Sequence, residues 1–266
     1  MEKQKNKNWY WLSWIIAIIL VIITAGSYGY VKHQEDLKTI KIAKQEKIDK
    51  KNAQINKKLL KEQETHMRSH IKWNESSETL PYPDISKYKH YKDKNRVWLS
   101  VSLKKQRLYV HQGPYTIYTM YAYANKNYQK MDNDQRTPLG MFKIGKNRGT
   151  DYYDAPQKYN FKAWMTFTPV GKGSQQYALQ SVPVTQNNGE IKHLMKYFGK
   201  NKKGKHVLKT NGAIWLTAPD AKWLEKNIPA KTLILIQDSN DKNKPYMVIE
   251  NYYQQLKLKD KDKSKD

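Results

Sequence analysis

One uncharged, apolar run near the N-terminus is suited to a lipid bilayer, whereas the rest of the chain is polar enough to fold in water. The run begins at Trp9 and ends at Tyr30, with aromatic residues at both ends. A helix needs about 20 apolar residues to cross a bilayer, and aromatic side chains favour the two interfaces. The run therefore predicts one membrane-spanning helix. A cleaved signal peptide, with a small-residue site at residues 24–27, is the alternative.

Composition divides the 266 residues into four segments. Residues 1–31 form a short cytoplasmic end and the membrane anchor, and residues 32–93 form a charged helical stalk and linker. A coiled coil is the alternative for the stalk. Pro81 and Pro83 end any helix, so residues 75–93 are predicted to be the linker. Residues 94–250 form the folded domain, and the low-complexity residues 251–266 are predicted to be disordered.

The predicted domain is mainly β. Residues 97–103 alternate apolar and polar side chains, and residues 107–110 resume the pattern before a Gln-Gly-Pro turn, which indicates hairpins. Residues 177–183 and 232–236 predict further strands. Between them, residues 218–224 carry Pro and Asp at a helix start, followed by apolar residues at helical spacing.

Three short motifs occur between these predicted strands. The first is Thr-Pro-Leu-Gly at residues 137–140, and the second is Gln-Ser-Val-Pro at residues 180–183. The third is Thr-Asn-Gly-Ala-Ile-Trp at residues 210–215. With the strands and the helix around them, residues 96–236 resemble the L,D-transpeptidase (YkuD-like) family. The resemblance implies a mixed β-sheet domain with a short helix after the third motif, acting on peptidoglycan stem peptides.

The resemblance also implies that the family's chemistry is missing. The family builds its site on a Ser/Thr-His-Gly-Cys-x-Arg run, and here Asn211, Ala213 and Trp215 stand at the His, Cys and Arg positions. A second family histidine corresponds to Gln180, and the chain contains no cysteine. Without a thiolate or a base that titrates near neutral pH, the covalent route is closed. Gly212 is expected to keep a backbone role in the turn.

The family's substrate groove maps by the same resemblance to Thr137, Pro138, Gly140 and Ser181. Two hydroxyl groups beside the vacated positions, those of Thr210 and Ser181, are the candidate substitute nucleophiles. Each would need a base within hydrogen-bond reach, and His193 and His206 precede the third motif in the chain. The opposing interpretation of the third motif is an ordinary Asn-Gly turn in an unrelated β protein.

Charge restricts the expected partners. The formal net charge is +25, and basic proteins bind polyanions. Because an anchored, extracytoplasmic domain is expected, we predict anionic wall polymers or lipid head groups rather than nucleic acid. Lysines crowd the insertion before the third motif, where they form either a basic lid or a solvated loop: Lys192, Lys196, Lys200, Lys202, Lys203, Lys205 and Lys209. The seven histidines are scattered along the chain and there is no cysteine, so no metal or cofactor is expected.

Three functions therefore stay open. The first is a single-pass membrane protein whose outer domain is an inactive transpeptidase-like module, binding peptidoglycan or scaffolding other wall-synthesis proteins. The second is an active transpeptidase or carboxypeptidase with a hydroxyl nucleophile. The third is an adhesin whose basic surface alone binds wall polymers. Lysines flank the apolar run on both sides, so the outward orientation rests on the family resemblance rather than on charge bias.

Overall fold

The computed structural model describes residues 7–88, 96–125, 136–155, 158–171, 175–200, 210–238 and 245–262. The chain divides into two compact units, Met1–Gln54 and Ile55–Asp266. A single long helix, α1, covers Lys7–His66.

Within the first unit, the described residues are helical, and the apolar side chains from Ile16 to Ile23 are exposed. Ile16, Leu20 and Ile22 are each more than half exposed, although they are among the most apolar residues of the chain. Among the described residues, this is the one helix that is long and apolar enough to cross a membrane, by length and composition.

The second unit is built on a nine-stranded mixed sheet with the order β3-β2-β1-β11-β5-β8-β9-β10-β4. Two of its neighbouring pairs, β1 with β11 and β9 with β10, are parallel, and the others are antiparallel. A short hairpin, β6 with β7, stands apart from the sheet. The mainly β prediction is confirmed. The strands are β1 Val97–Ser102, β2 Arg107–Gln112, β3 Tyr115–Tyr121, β4 Tyr123–Ala124, β5 Gly140–Gly149, β6 Tyr152–Asp154, β7 Tyr159–Phe161, β8 Trp164–Pro169, β9 Tyr177–Ser181, β10 Ile214–Leu216 and β11 Leu233–Gln237.

Three further α-helices lie in the described part of the chain: α2 Lys192–Met195, α3 Ala218–Asn227 and α4 Pro245–Asp262. Helix α3 follows the third motif, as predicted, and Thr217 caps it by accepting a hydrogen bond from the Asp220 amide. Ala221 and Leu224 of α3 are buried in the main core. The apolar face of the helix thus fixes the strand that carries the motif.

The predicted linker is partly corrected by the structure. Helix α1 ends at His66, before either proline, and the chain from there to residue 88 packs into the domain rather than leaving it. Ser77, Glu78 and Ile85 are almost fully buried, and Met67 forms a bridge with Glu78. Pro81 and Pro83 prevent regular structure here, but polar contacts with distant residues hold the segment in place.

The predicted disordered tail is also corrected. Helix α4 runs to Asp262, and its Ile249 and Tyr253 pack against β1 and β11. The guanidinium of Arg96 lies 4.0 Å from the centre of the Tyr253 ring and pairs with Glu250 at 2.7 Å. Two apolar side chains four residues apart were enough to anchor this helix, despite the charged sequence that follows them. The domain therefore extends past residue 250.

Candidate functional site

The third motif forms a tight turn that leads into β10. The amide of Ala213 donates to the carbonyl oxygen of Thr210 at 2.9 Å, and Asn211 and Gly212 have φ values of 49° and 78°. Positive φ at both central positions is the requirement of a type I′ turn, for which Asn-Gly is the preferred pair. A Cβ at residue 212 would lie 3.0 Å from the Tyr177 ring, so glycine is needed for space as well as for conformation.

Strand β10 brings the sequence-predicted positions together. It pairs in parallel with β9 and antiparallel with β4, so that Trp215 lies opposite Gln180 on one side and Tyr123 on the other. Thr137 connects the turn to a third segment. Its hydroxyl accepts a hydrogen bond from the Asn125 amide at 3.0 Å and lies 3.5 Å from the carbonyl oxygen of Ala213. The motif is thus held by three separate segments of the chain.

Ala213 and Trp215 belong to a second hydrophobic cluster, which we call the motif-side core. Both are at least 95% buried, and the rings of Tyr123 and Trp215 are 6.1 Å apart. Helix α2 and the turn after it cover this cluster with apolar side chains. Its buried members are Tyr123, Val182, Ile191, Leu194, Phe198, Ala213 and Trp215. An apolar surface therefore occupies the two positions that the family resemblance assigns to the nucleophile and the arginine.

A cleft of about 370 Å³ lies beside the turn. One wall is the β6–β7 hairpin, another is the face of β8 and β9, and the turn itself forms the end. Its described lining is mostly aromatic and neutral: Tyr152, Asp154, Phe161, Trp164, Thr166, Gln176, Tyr177, Ala178, Gln180, Thr210, Asn211, Ala213 and Trp215. Of the five positions that the family resemblance assigns to the site, Gln180, Asn211, Ala213 and Trp215 line this cleft and Gly212 does not.

Two buried polar atoms on residues that line the cleft have no hydrogen-bond partner among the described residues. They are the hydroxyl oxygen of Thr210 and the indole nitrogen of Trp215, on residues that are both about 4% exposed. Buried polar groups are normally paired, because an unmet hydrogen bond costs about 1–3 kcal/mol. These two atoms are therefore the unusual feature of the site.

The candidate substitute nucleophiles are placed differently from one another. Thr210 lines the cleft, whereas Ser181 is fully buried and its hydroxyl oxygen accepts from the Lys162 amide at 2.7 Å. His193 is exposed and is not among the residues that line the cleft, and His206 lies outside the described residues. The described part of the chain brings no histidine to the Thr210 hydroxyl.

The predicted groove residues separate in the same way. Thr137 is buried and contacts the turn, but Pro138 and Gly140 do not line the cleft. Gly140 begins β5 with a φ of 119° and pairs with Ile236. Of the predicted basic lid, Lys192, Lys196 and Lys200 are exposed, and the lysines at 202, 203, 205 and 209 lie outside the described residues.

The aromatic walls of the cleft were not identified from the sequence. Tyr152 and Phe161 come from a hairpin of two three-residue strands, too short to show a clear alternation. Trp164 and Tyr177 lie on paired strands, and their positions within alternating segments are the signal that was present. Among the described residues, no group of three or more His, Asp or Glu side chains could hold a metal ion.

The two carboxyl groups with strongly raised pKa values, those of Asp220 and Glu78, do not line the cleft. Burial raises the pKa of Asp220 to about 6, although hydrogen bonds from Ser77 and Tyr82 oppose this effect. Burial also raises the pKa of Glu78 to about 7, against a hydrogen bond from the Thr119 amide. Both groups join the 67–88 segment to the sheet and α3, so they are elements of the scaffold.

Comparison with known proteins gives a relative in Bacillus subtilis (strain 168), provisionally named L,D-transpeptidase YciB. It is 32% identical over 189 residues, which are 70% of this chain and 86% of the relative. No model of a known protein family matches the chain.

The solved structures that match this chain have lower sequence identity to it. An L,D-transpeptidase from Stackebrandtia nassauensis has a TM-score of 0.36 and 14% identity, covering 59% of this chain and 62% of that one. An L,D-transpeptidase from Mycobacterium tuberculosis H37Rv also has a TM-score of 0.36 and 14% identity, covering 53% and 57%. This chain thus spans about three fifths of the solved chains that it matches. The extent and identity of the match to the Bacillus subtilis relative show that the chain belongs to the L,D-transpeptidase family.

Proposed function

We propose that this protein is a membrane-anchored, catalytically inactive member of the family that binds peptidoglycan. One observation carries the proposal: the residue at the position of the family's nucleophile, Ala213, is buried in the motif-side core while an open cleft persists beside it. The chain has lost the reacting group but kept a place for a ligand.

The chemistry supports inactivity. Acyl transfer by this family needs a thiolate, and the chain has no cysteine. The amide side chains of Asn211 and Gln180 cannot accept a proton near neutral pH, so they cannot replace a histidine base. Loss of such a nucleophile and base costs about 10⁴-fold or more in rate in enzymes of comparable design.

The location follows from α1 and from the family's substrate. A helix with an apolar N-terminal part would anchor the chain, and the second unit would face the wall that the family modifies. The net charge of +25 favours retention near anionic wall polymers or lipid head groups. Scaffolding of other wall-synthesis proteins is compatible with the same location.

A second candidate is an enzyme that uses Thr210 as its nucleophile. It is favoured by the position of the Thr210 hydroxyl, which lines the cleft without a hydrogen-bond partner. No histidine or lysine is among the described residues that line the cleft, and the Asp154 carboxylate is the one side chain among them that could act as a base.

The test uses the full chain in detergent micelles, incubated with purified disaccharide-tetrapeptide and, separately, with insoluble peptidoglycan. We expect retention on the peptidoglycan and no new product by mass. A cross-linked or trimmed product that disappears with Thr210→Val would establish the enzyme instead. Binding that is lost between about 0.1 M and 1 M salt would indicate a purely electrostatic adhesin, because exposed charges are screened at high ionic strength.

A further inference from the structure

We infer that residues 67–88, which we call the clasp, form a pH-sensitive switch. Ionisation of two facing buried carboxyl groups releases the clasp from the edge of the sheet and from α3, while the rest of the second unit stays folded. The switch goes beyond the proposed function and operates whatever ligand the cleft binds.

The clasp is attached to the edge of the sheet through side chains. Strand β3 ends the strand order, so its outward-facing amides have no neighbouring strand. The Thr119 amide donates to the Glu78 carboxyl group and the Tyr121 amide donates to the Ser77 hydroxyl oxygen, both at 2.7 Å. Among the described residues, no backbone hydrogen bond joins the clasp to β3. The clasp can therefore leave this edge without breaking a pair of strands.

A second set of contacts attaches the clasp to the start of α3. The Asp220 carboxyl group accepts from the amide and hydroxyl of Ser77 and from the Tyr82 hydroxyl. The Ala218 amide donates to the Trp73 carbonyl oxygen at 2.7 Å. These bonds join the clasp to the helix that follows the third motif.

The two carboxyl groups lie on opposite sides of this attachment. Glu78 belongs to the clasp and is 2% exposed, whereas Asp220 belongs to α3 and is fully buried. The negative charge of Asp220 disfavours ionisation of Glu78, which adds to the effect of burial. Two ionised carboxylates in one buried cluster repel each other and lack water. Release of the clasp relieves both costs, because it separates the two charges and hydrates them.

The other titratable groups around the pair do not compensate for these charges. Tyr118 of β3 and Tyr82 of the clasp stay neutral, because burial raises the pKa of both hydroxyl groups. The Arg68 guanidinium donates to the Ser76 carbonyl oxygen at 2.9 Å, and His66 contacts the clasp through its backbone carbonyl. Neither carboxyl group forms an ion pair with a described residue.

The direction of the switch follows from the raised pKa values. The folded-state pKa of Glu78 is about 7, above its ordinary value of 4.5. The attachment is therefore strongest where both groups are protonated, and it weakens as the pH rises through about 7.

Release of the clasp would reach the third motif. Ile71 and Trp73 of the clasp pack against the motif-side core, and the Trp73 carbonyl oxygen is the acceptor for the first amide of α3. A released clasp uncovers part of this core and leaves the Ala218 amide without its acceptor. The pH therefore acts on the packing beside the motif through the clasp.

The experiment measures hydrogen–deuterium exchange of the full chain in detergent micelles by mass spectrometry, with labelling times corrected for the intrinsic effect of pH. The reporting amides are those of Thr79, Thr119, Tyr121 and Ala218, whose acceptors lie within or across the attachment. We expect their protection to fall about 30-fold between about pH 5.5 and about pH 8.5, the effect of Glu78 ionisation alone. The amides of β1, which has strands on both sides, should keep their protection.

Two matched variants assign the effect. Glu78→Gln keeps an oxygen for the Thr119 amide but cannot ionise, so the pH-dependent loss should shrink to less than about 5-fold, the part left to Asp220. Glu75→Gln makes the same change in the same segment, where the carboxylate pairs with the exposed Lys72, and should behave like the parent.

Three results would overturn the inference. The clasp amides and the β1 amides could lose protection together, which is global unfolding rather than local release. The parent and Glu78→Gln could show the same pH profile, which removes Glu78 as the cause. The Ala218 amide could stay protected while those of Thr119 and Tyr121 open, which rules out release from α3. None of these results involves peptidoglycan, so each is distinct from failure of the proposed function.

Discussion

Two buried polar sites flank the same short stretch of chain and differ in whether their hydrogen bonds are satisfied. At the start of α3, the Asp220 carboxylate accepts from the amide and hydroxyl of Ser77 and from the Tyr82 hydroxyl. At the motif turn, ten residues earlier, the Thr210 hydroxyl and the Trp215 indole nitrogen are buried without a partner. The first site is saturated internally, whereas the second is left open, without a partner among the described residues.

The difference indicates which polar residues serve the fold and which do not. Asp220 connects α3 to the segment around Ser77, which precedes it by 143 residues, so its bonds are long-range structural contacts. Nothing in the described fold depends on the side-chain hydrogen bonds of Thr210 or Trp215.

The largest expected effect is that of Asp220→Ala. The substitution leaves Ser77 and Tyr82 without their acceptor, and breaking a buried network of this kind costs about 4 kcal/mol. Urea denaturation of the full chain in detergent, followed by tryptophan fluorescence, would measure this loss. Asp151→Asn is the control, because that carboxylate is mostly exposed, its ion pair with Lys162 should contribute little, and asparagine tolerates the positive φ of 49° at this position. Equal stability of the two variants would contradict a structural role for the Asp220 network.

Trp215→Arg tests the other side of the comparison by restoring the residue type that the family carries at this position. A guanidinium in the motif-side core would lack a partner among the described apolar residues, and we expect a loss of about 3 kcal/mol. Trp215→Phe, which keeps the cluster apolar, should cost less than half as much in the same denaturation assay. A Trp215→Arg protein as stable as the parent would show that the motif-side core is not packed as described.

The pH dependence of stability should come from the saturated site. The folded-state pKa of Glu78 is about 7, above its ordinary value of 4.5, because burial disfavours the charged form. Its contribution to stability is therefore complete below about pH 4.5 and is lost as the pH rises through about 7. Asp220, with a pKa raised to about 6, acts in the same direction.

Glu78→Gln isolates this effect. Between pH 4.5 and pH 8, we expect the free energy of unfolding of the variant to fall by about 2 kcal/mol less than that of the parent, since the amide does not ionise. His111 opposes the trend in both proteins. Its pKa is lowered by burial to about 3, so its contribution is present above pH 6.5 and is lost as the pH falls through about 3. Taking the difference between variant and parent removes the His111 contribution, and identical pH profiles would rule out ionisation of Glu78 as the cause.

The sequence predicted the features that depend on local pattern. Strand alternation at β1 and the Pro and Asp that begin α3 are both encoded within a few residues. The Asn-Gly turn is equally local, but the sequence offered it only as the opposing interpretation of the third motif. The burial of Ser77 and Glu78 could not be predicted, because their partners are distant in the chain. The cleft was missed for the same reason, since its walls meet only when the β6–β7 hairpin folds against β8 and β9.

The smallest expected effect on stability is also the most direct test of the comparison. Thr210→Val removes a buried hydroxyl that has no partner among the described residues and keeps the shape of the side chain. The free energy of unfolding should therefore change by less than about 1 kcal/mol, in either direction. Thr137→Val is the matched control, because the Thr137 hydroxyl accepts from the Asn125 amide and its loss should cost about 1–2 kcal/mol. If retention on insoluble peptidoglycan weakens in Thr210→Val while its denaturation midpoint holds, the hydroxyl serves a ligand. If Thr210→Val loses as much stability as Thr137→Val, the Thr210 hydroxyl is part of the scaffold, and the distinction between the saturated site and the open site fails.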